Sequence, residues 1–577
     1  MRPARMKSPV GMCVVGALLL SLCASTYGQS PVDAGKLPSR TLFYLHWHGT
    51  PSGEARKNSS VFALWDDPQL AKARSSFLES MVNNSPNTSK PKVSREEFEE
   101  YVTLLDNPFV IGYLRQPEAA RKTEKAAGDQ PKAPAWNGLF FIYDRSGKEA
   151  LLSKAVLHLR SAETEIPKLT EITVAGVPSL KVERKGGITY WAEFGKYAVS
   201  ANEMAVFEEI LNVVNGKSSA EGLGQTAAYR EAQAQLGGGI LEFFLEVPNA
   251  EQIAMSAPDK STAQLRALLS TLKLDSVHSV AGRVSVEGTR TRVVGAVLGD
   301  AAPGGLFDMW GDGQMKPASM DYVTGDTIYF GESQFNLLGI YGVLKHAFTS
   351  PGAEKSGPSP LEQMAETRLG MPLEEALRVV TGEVAWFQTS PVMDDKQKVY
   401  LIGINDKANA LKLTRTLMGD RIASERAEGD TTLLKVSLQG GQGKAGVAQW
   451  NFYHLAMTPK VLVGTYRSES LQSYMKPGPG SEAKGLLAAR EQFPEKLNGF
   501  SYLDFQKLDW AGLQKKWVED ANKEAETATS TEGAAADKKR AEWLSQVDPQ
   551  VFPRHLHTMT GASWKDAKGV HFDEWVE

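Results

Sequence analysis

Cysteine is almost absent from this chain of 577 residues: the only two, Cys13 and Cys23, lie near its start. If that start is removed, the remainder has no disulfide, no thiolate nucleophile and no cysteine metal site. Long hydrophobic runs are lacking too. No later segment approaches the about 18 uninterrupted apolar residues that mark a membrane-spanning helix. Nor does one sign of charge dominate, since 64 Lys and Arg stand against 68 Asp and Glu. Without a basic block the chain is a poor candidate for nucleic acid, and it offers no polybasic patch to anionic lipid.

What is present at the start is an export signal. Arg2, Arg5 and Lys7 precede an apolar run from Cys13 to Leu22, broken only by Gly16 and Ser21. Small or polar residues follow through Thr26, Tyr27 and Gly28, so residues 1–28 read as a signal peptide cleaved after Gly28. The expected location is the periplasm or the medium. A lipid anchor on Cys23 is disfavoured, because Leu22 stands where such a signal needs a small residue. Cleavage removes three positive side chains and no acid, taking the formal charge from −4 to −7. Hydrophobic content of 42% with 23% charged residues places the rest among ordinary globular proteins, with length for two or more domains.

The chain reads as one unit written twice. Gly195–Leu211 and Pro459–Met475 align without a gap, each a short apolar strand followed by a helix. The helix faces are Phe207, Ile210, Leu211 and Leu471, Tyr474, Met475. Further elements match in order. Strand Thr41–Leu45 pairs with Thr327–Phe330, Leu139–Tyr143 with Val399–Ile404, and Leu180–Val182 with Leu434–Val436. Gly239–Phe244 mirrors Gly499–Asp504, and each half closes on a hairpin turning at Glu287-Gly288 or Lys568-Gly569. Helix starts are marked by Asp67-Pro68, by Ser94 with Glu97, and by Asp406.

These patterns predict an α+β fold: two tandem copies of a mostly antiparallel sheet packed against helices. The expected layout is a first repeat over residues 29–303, a glycine-rich linker at 304–317 and a second repeat over 318–577. Two stretches low in hydrophobicity, 116–134 and 519–539, read as exposed, mobile insertions.

Recognisable chemistry is sparse. Gly216-Lys217-Ser218 lacks the first glycine of a phosphate loop, because position 211 is Leu. Ser270 and Lys273 have the spacing of a lysine-assisted nucleophile, yet the companion motifs Ser-Asp-Asn and Lys-Thr-Gly do not occur. The acidic pairs Glu96-Glu97 and Glu374-Glu375 sit at helix starts, where they complement the dipole. No cofactor is indicated. One constellation remains: His46-Trp47-His48 and His555-Leu556-His557 each place two imidazoles on one face of an extended segment. Four histidines could hold zinc or copper if the two segments met.

Leu37-Pro38-Ser39-Arg40-Thr41-Leu42-Phe43-Tyr44 and Leu64-Trp65-Asp66-Asp67-Pro68 resemble a group of bacterial envelope proteins classed under a domain of unknown function. So do Leu373–Leu377 with Gly382–Ala385, and Asp406–Ala410. The resemblance implies export and repeated α+β units, and it brings no catalytic residue. The expected function is therefore non-enzymatic binding of an envelope protein or cell-surface polymer. A carrier of lipid or another apolar ligand is the alternative, and an apolar cavity of at least about 300 Å³ would favour it. A histidine-metal enzyme is the third reading.

Overall fold

The structure, a computed structural model, describes residues 33–71, 74, 95–115, 138–161, 167–184, 187–217, 221–247, 273, 276–300, 305–313, 317–348, 360–393, 397–438, 452–468, 471, 483–527 and 531–577. The expected signal peptide, the insertion at 116–134 and Ser270 lie outside these residues. The fold is α+β, organised on one antiparallel sheet of twenty strands.

The first ten strands are β1 (Thr41–Trp47), β2 (Phe109–Leu114), β3 (Leu139–Asp144), β4 (Lys168–Val174), β5 (Val177–Arg184), β6 (Gly187–Phe194), β7 (Tyr197–Ala201), β8 (Leu241–Glu246), β9 (Val277–Glu287) and β10 (Arg290–Gly299). Their hydrogen bonds give the order β4-β5-β6-β7-β3-β2-β1-β8-β9-β10. The remaining ten are β11 (Tyr329–Gln334), β12 (Val380–Gln388), β13 (Val399–Ile404), β14 (Ile422–Glu428), β15 (Thr431–Ser437), β16 (Phe452–Met457), β17 (Val461–Thr465), β18 (Gly499–Asp504), β19 (Thr558–Asp566) and β20 (Gly569–Val576). These run β14-β15-β16-β17-β13-β12-β11-β18-β19-β20, and β10 pairs with β20 to make the sheet continuous. Among the described residues the sheet's edges are β4 and β14. Both are largely exposed and carry charge, including Lys168, Glu171, Glu425 and Arg426, which discourages a stray strand from adding there.

Local sequence explains the elements. β2 buries every second residue, with Val110 and Leu114 fully enclosed, as a strand with one covered face should. The helix Met204–Val214 buries Val206, Phe207, Ile210 and Leu211, a stripe at helical spacing. That stripe packs on Tyr44, Val110, Phe140, Val199 and Phe244 to make the first core. Phe330, Ala385, Phe387, Leu401, Val463 and Phe500 form the second, covered by Leu486 and Ala489 of the helix Lys484–Arg490. Each fully buried phenylalanine contributes about 2–3 kcal/mol. A third cluster joins the halves: Val61, Leu64 and Leu70 meet Leu503, Trp510, Val551 and Phe552.

The stretch 519–539 departs from the expected mobile loop. Helices Trp510–Thr527 and Thr531–Ser545 pack against one another and bury Ala521, Ala525 and Ala541. Alanine has the highest helix propensity and lets helices approach closely, while adding little to a hydrophobicity profile. The segment between the halves is also packed, with Phe307 buried and Lys565 Nζ donating to the Trp310 carbonyl at 3.1 Å. Among the described residues no helix is long and apolar enough to cross a membrane.

Candidate functional site

His46 lies near the end of β1, and His48 follows the strand's last residue. Their rings stack with centroids 3.8 Å apart, as the two-residue spacing predicts. The neighbouring strand β8 adds a group that sequence reasoning missed. Glu242 is the direct cross-strand partner of His46, and its Oε1 stands 3.4 Å from His48 Nε2. One ligand atom from each of His46, His48 and Glu242 lies within 4.8 Å of the others. The Gly239 N–H donates to Glu242 Oε1 at 3.0 Å and fixes the carboxylate. Burial, reinforced by the adjacent His48, pushes His46 down to about 3, so its ring is neutral. Burial alone would raise the Glu242 carboxyl, but His48 and the Gly239 N–H outweigh it and hold the group below its usual range.

His555 and His557 are not part of that cluster. His555 Nε2 stands 2.8 Å from Asp67 Oδ2, which also accepts from Arg554 Nη1 at 3.0 Å. Asp67 Oδ1 takes the Gln69 N–H at 2.8 Å, capping a short 3-10 turn at Pro68–Leu70. The His557 N–H donates to the Glu577 carbonyl, which anchors the chain end. Of the second pair, His555 thus serves the contact between the halves through a buried aspartate, while the His557 backbone ties the end of the chain to its own half. Burial opposes ionisation of Asp67, but His555, the Gln69 N–H and Arg554 win and keep its carboxyl below the usual range. Its contribution is therefore present above the ordinary carboxylate range and fades as pH falls through the depressed value. Asp67→Ala should cost about 2 kcal/mol at pH 7 by urea unfolding, with the deficit shrinking in acid.

The equivalent end of β11 carries different groups. Tyr44 on β1 and Phe330 on β11 are both fully buried, each across from an aromatic, Phe244 and Tyr502 respectively. Two residues beyond Phe330 stands Glu332, at the register position of His46. Burial and the nearby Glu383 raise its carboxyl to about 8. Ser319 Oγ donates to Glu332 Oε2 at 3.3 Å, while Glu383 accepts the N–H groups of Ser319 and Ala318 at 2.7 and 3.1 Å.

Beside this pair opens a groove of about 550 Å³. Polar groups from Asp312, Gln334, Asn336, Arg378, Thr381 and Asn405 line it, together with Phe335 and Leu377. The amides are held in place. Gln334 Nε2 donates to the Thr381 carbonyl at 2.8 Å, Asn405 Nδ2 to the Arg378 carbonyl at 3.1 Å, and Asn336 Oδ1 accepts the Gly339 N–H at 2.9 Å. Phe335 leaves 42% of its surface exposed. Its backbone is pinned against Gly382, where φ is +87° and a Cβ would fall 2.0 Å from the Phe335 carbonyl oxygen. Only glycine fits there.

No protein-family model, curated protein or solved structure matches this chain. The lining residues carried no sequence signal of their own, since amides and a lone phenylalanine are common in loops. Glu242 could have been suspected only by guessing that β1 and β8 are neighbours and in which register.

Proposed function

We propose that this is an exported envelope protein that binds rather than transforms its ligand. The ligand is a cell-surface polymer, held in the groove around Gln334, Phe335 and Thr381. The groove carries this reading: amide-bearing residues held by hydrogen bonds line it together with the exposed Phe335, which suits polyhydroxylated chains that hydrogen-bond along their edges and pack C–H faces on a ring. Export rests on the basic start and apolar run of residues 1–28. The frame is read as an internal duplication, supported by the common strand order of the two halves. The carrier alternative finds less support, because polar side chains line the groove on several sides.

Binding of solubilised envelope polysaccharide, followed by calorimetry, is the test. Phe335→Ala should weaken it about tenfold, equivalent to about 1.4 kcal/mol. Saturable binding that ignores both Phe335→Ala and Asn405→Ala would move the ligand elsewhere. Capture of a protein instead of a polymer would replace this reading by the partner-protein one.

A further inference from the structure

We propose that His46, His48 and Glu242 form a zinc site on the first half of the sheet, three protein ligands that leave the fourth tetrahedral position to water. The site is independent of the groove, which lies on the second half.

Three observations converge. The spacing is right: two ligands each about 2.0 Å from a tetrahedral zinc stand about 3.3 Å apart. His48 Nε2 and Glu242 Oε1 are 3.4 Å apart, and all three ligand atoms fit within 4.8 Å. That separation is long for a charge-assisted hydrogen bond, although His48 Nε2 is shielded from solvent. An ion between the two would satisfy both groups.

The support is rigid as well. His46 and Glu242 project from directly opposed positions of two hydrogen-bonded strands, and the stacked imidazoles present their edges together. The Gly239 N–H on Glu242 orients the carboxylate, the task that outer-shell donors perform at metal centres.

The neighbouring charge is also turned aside. Arg283 on β9 is the other cross-strand partner of Glu242. Its guanidinium donates to the Gly238 carbonyl at 2.5 Å and reaches towards Glu287 at 3.6 Å. The carboxylate is thereby left to the histidines. Two imidazoles and one carboxylate, without sulfur, form a donor set that suits zinc with one position left over. Among the described residues no other group of three His, Cys, Asp or Glu comes as close together.

The full chain, stripped with chelator and titrated with zinc sulfate, should take up one equivalent by calorimetry and elemental analysis. Glu242→Gln and His48→Ala should each weaken uptake at least tenfold, whereas His555→Ala should leave it unchanged. Circular dichroism of Glu242→Gln, the milder change, checks that the fold persists. X-ray absorption of the loaded protein should show nitrogen and oxygen donors near about 2.0 Å, with two imidazoles and no sulfur. Failure to take up zinc, uptake indifferent to Glu242→Gln and His48→Ala, or uptake lost with His555→Ala would each overturn the assignment.

Discussion

Replacing Glu332 with glutamine should make the protein more stable in alkali by about 4 kcal/mol, while changing it little near pH 5. Glu332 is 7% exposed on β11, and burial with the nearby Glu383 lifts its carboxyl to about 8. Between the ordinary carboxylate value of 4.5 and about 8, the folded chain holds a proton that the unfolded chain has released. The unfolded state binds fewer protons over that window, so stability falls as pH rises through it. Above it the native state carries a buried charge beside another carboxylate. Glutamine has nearly the same shape as the protonated acid and cannot ionise. Urea unfolding of the two proteins at pH 5.5, 7 and 9 should therefore give curves that diverge with pH. Parallel curves would mean that Glu332 titrates normally and that its burial carries no such cost.

The same residue shows how far the sequence could be read. The expected strand Thr327–Phe330, where β-branched and aromatic residues follow a Gly-Asp turn, overlaps the start of β11 at Tyr329-Phe330. β11 continues through Glu332 to Gln334, where composition argues against a strand and pairing with β12 and β18 overrides it. Helix starts with a side-chain cap were readable, as at Asp406, which takes the Asn409 N–H at 3.1 Å. The helix at Trp510–Thr527 was not, and residues 519–539 read as a mobile loop, since its buried face ends in alanines that any hydrophobicity profile undervalues. The candidate sites were least legible. His46 and His48 announced themselves by spacing, but Glu242 is placed by the register of β1 on β8, which sequence separation conceals. His555 looked like a ligand and proves to be the partner of Asp67.

Register also determines how the halves are joined, which makes the β10–β20 seam the place for the other large effect. Arg292 on β10 donates Nε to Asp573 Oδ1 at 2.9 Å and Nη2 to Oδ2 at 2.6 Å, a two-pronged pair across the seam. Nη1 adds Glu287 at 3.2 Å. Asp573 is 4% exposed, so truncating its partner strands a carboxylate away from water. Removing one member of a buried pair costs about 3–5 kcal/mol, most of it the charge left behind. Arg292→Ala should therefore lower unfolding stability by about 3 kcal/mol, the solvent-facing side of the arginine placing it at the low end. Asp573→Ala introduced into the same chain should recover much of that loss, giving a coupling of about 2 kcal/mol in a double-mutant cycle. Simple additivity of the two changes would show that the ladder of backbone hydrogen bonds, and not this pair, holds the seam. A measured coupling would identify the pair as a side-chain lock between two halves whose ten strands share one order.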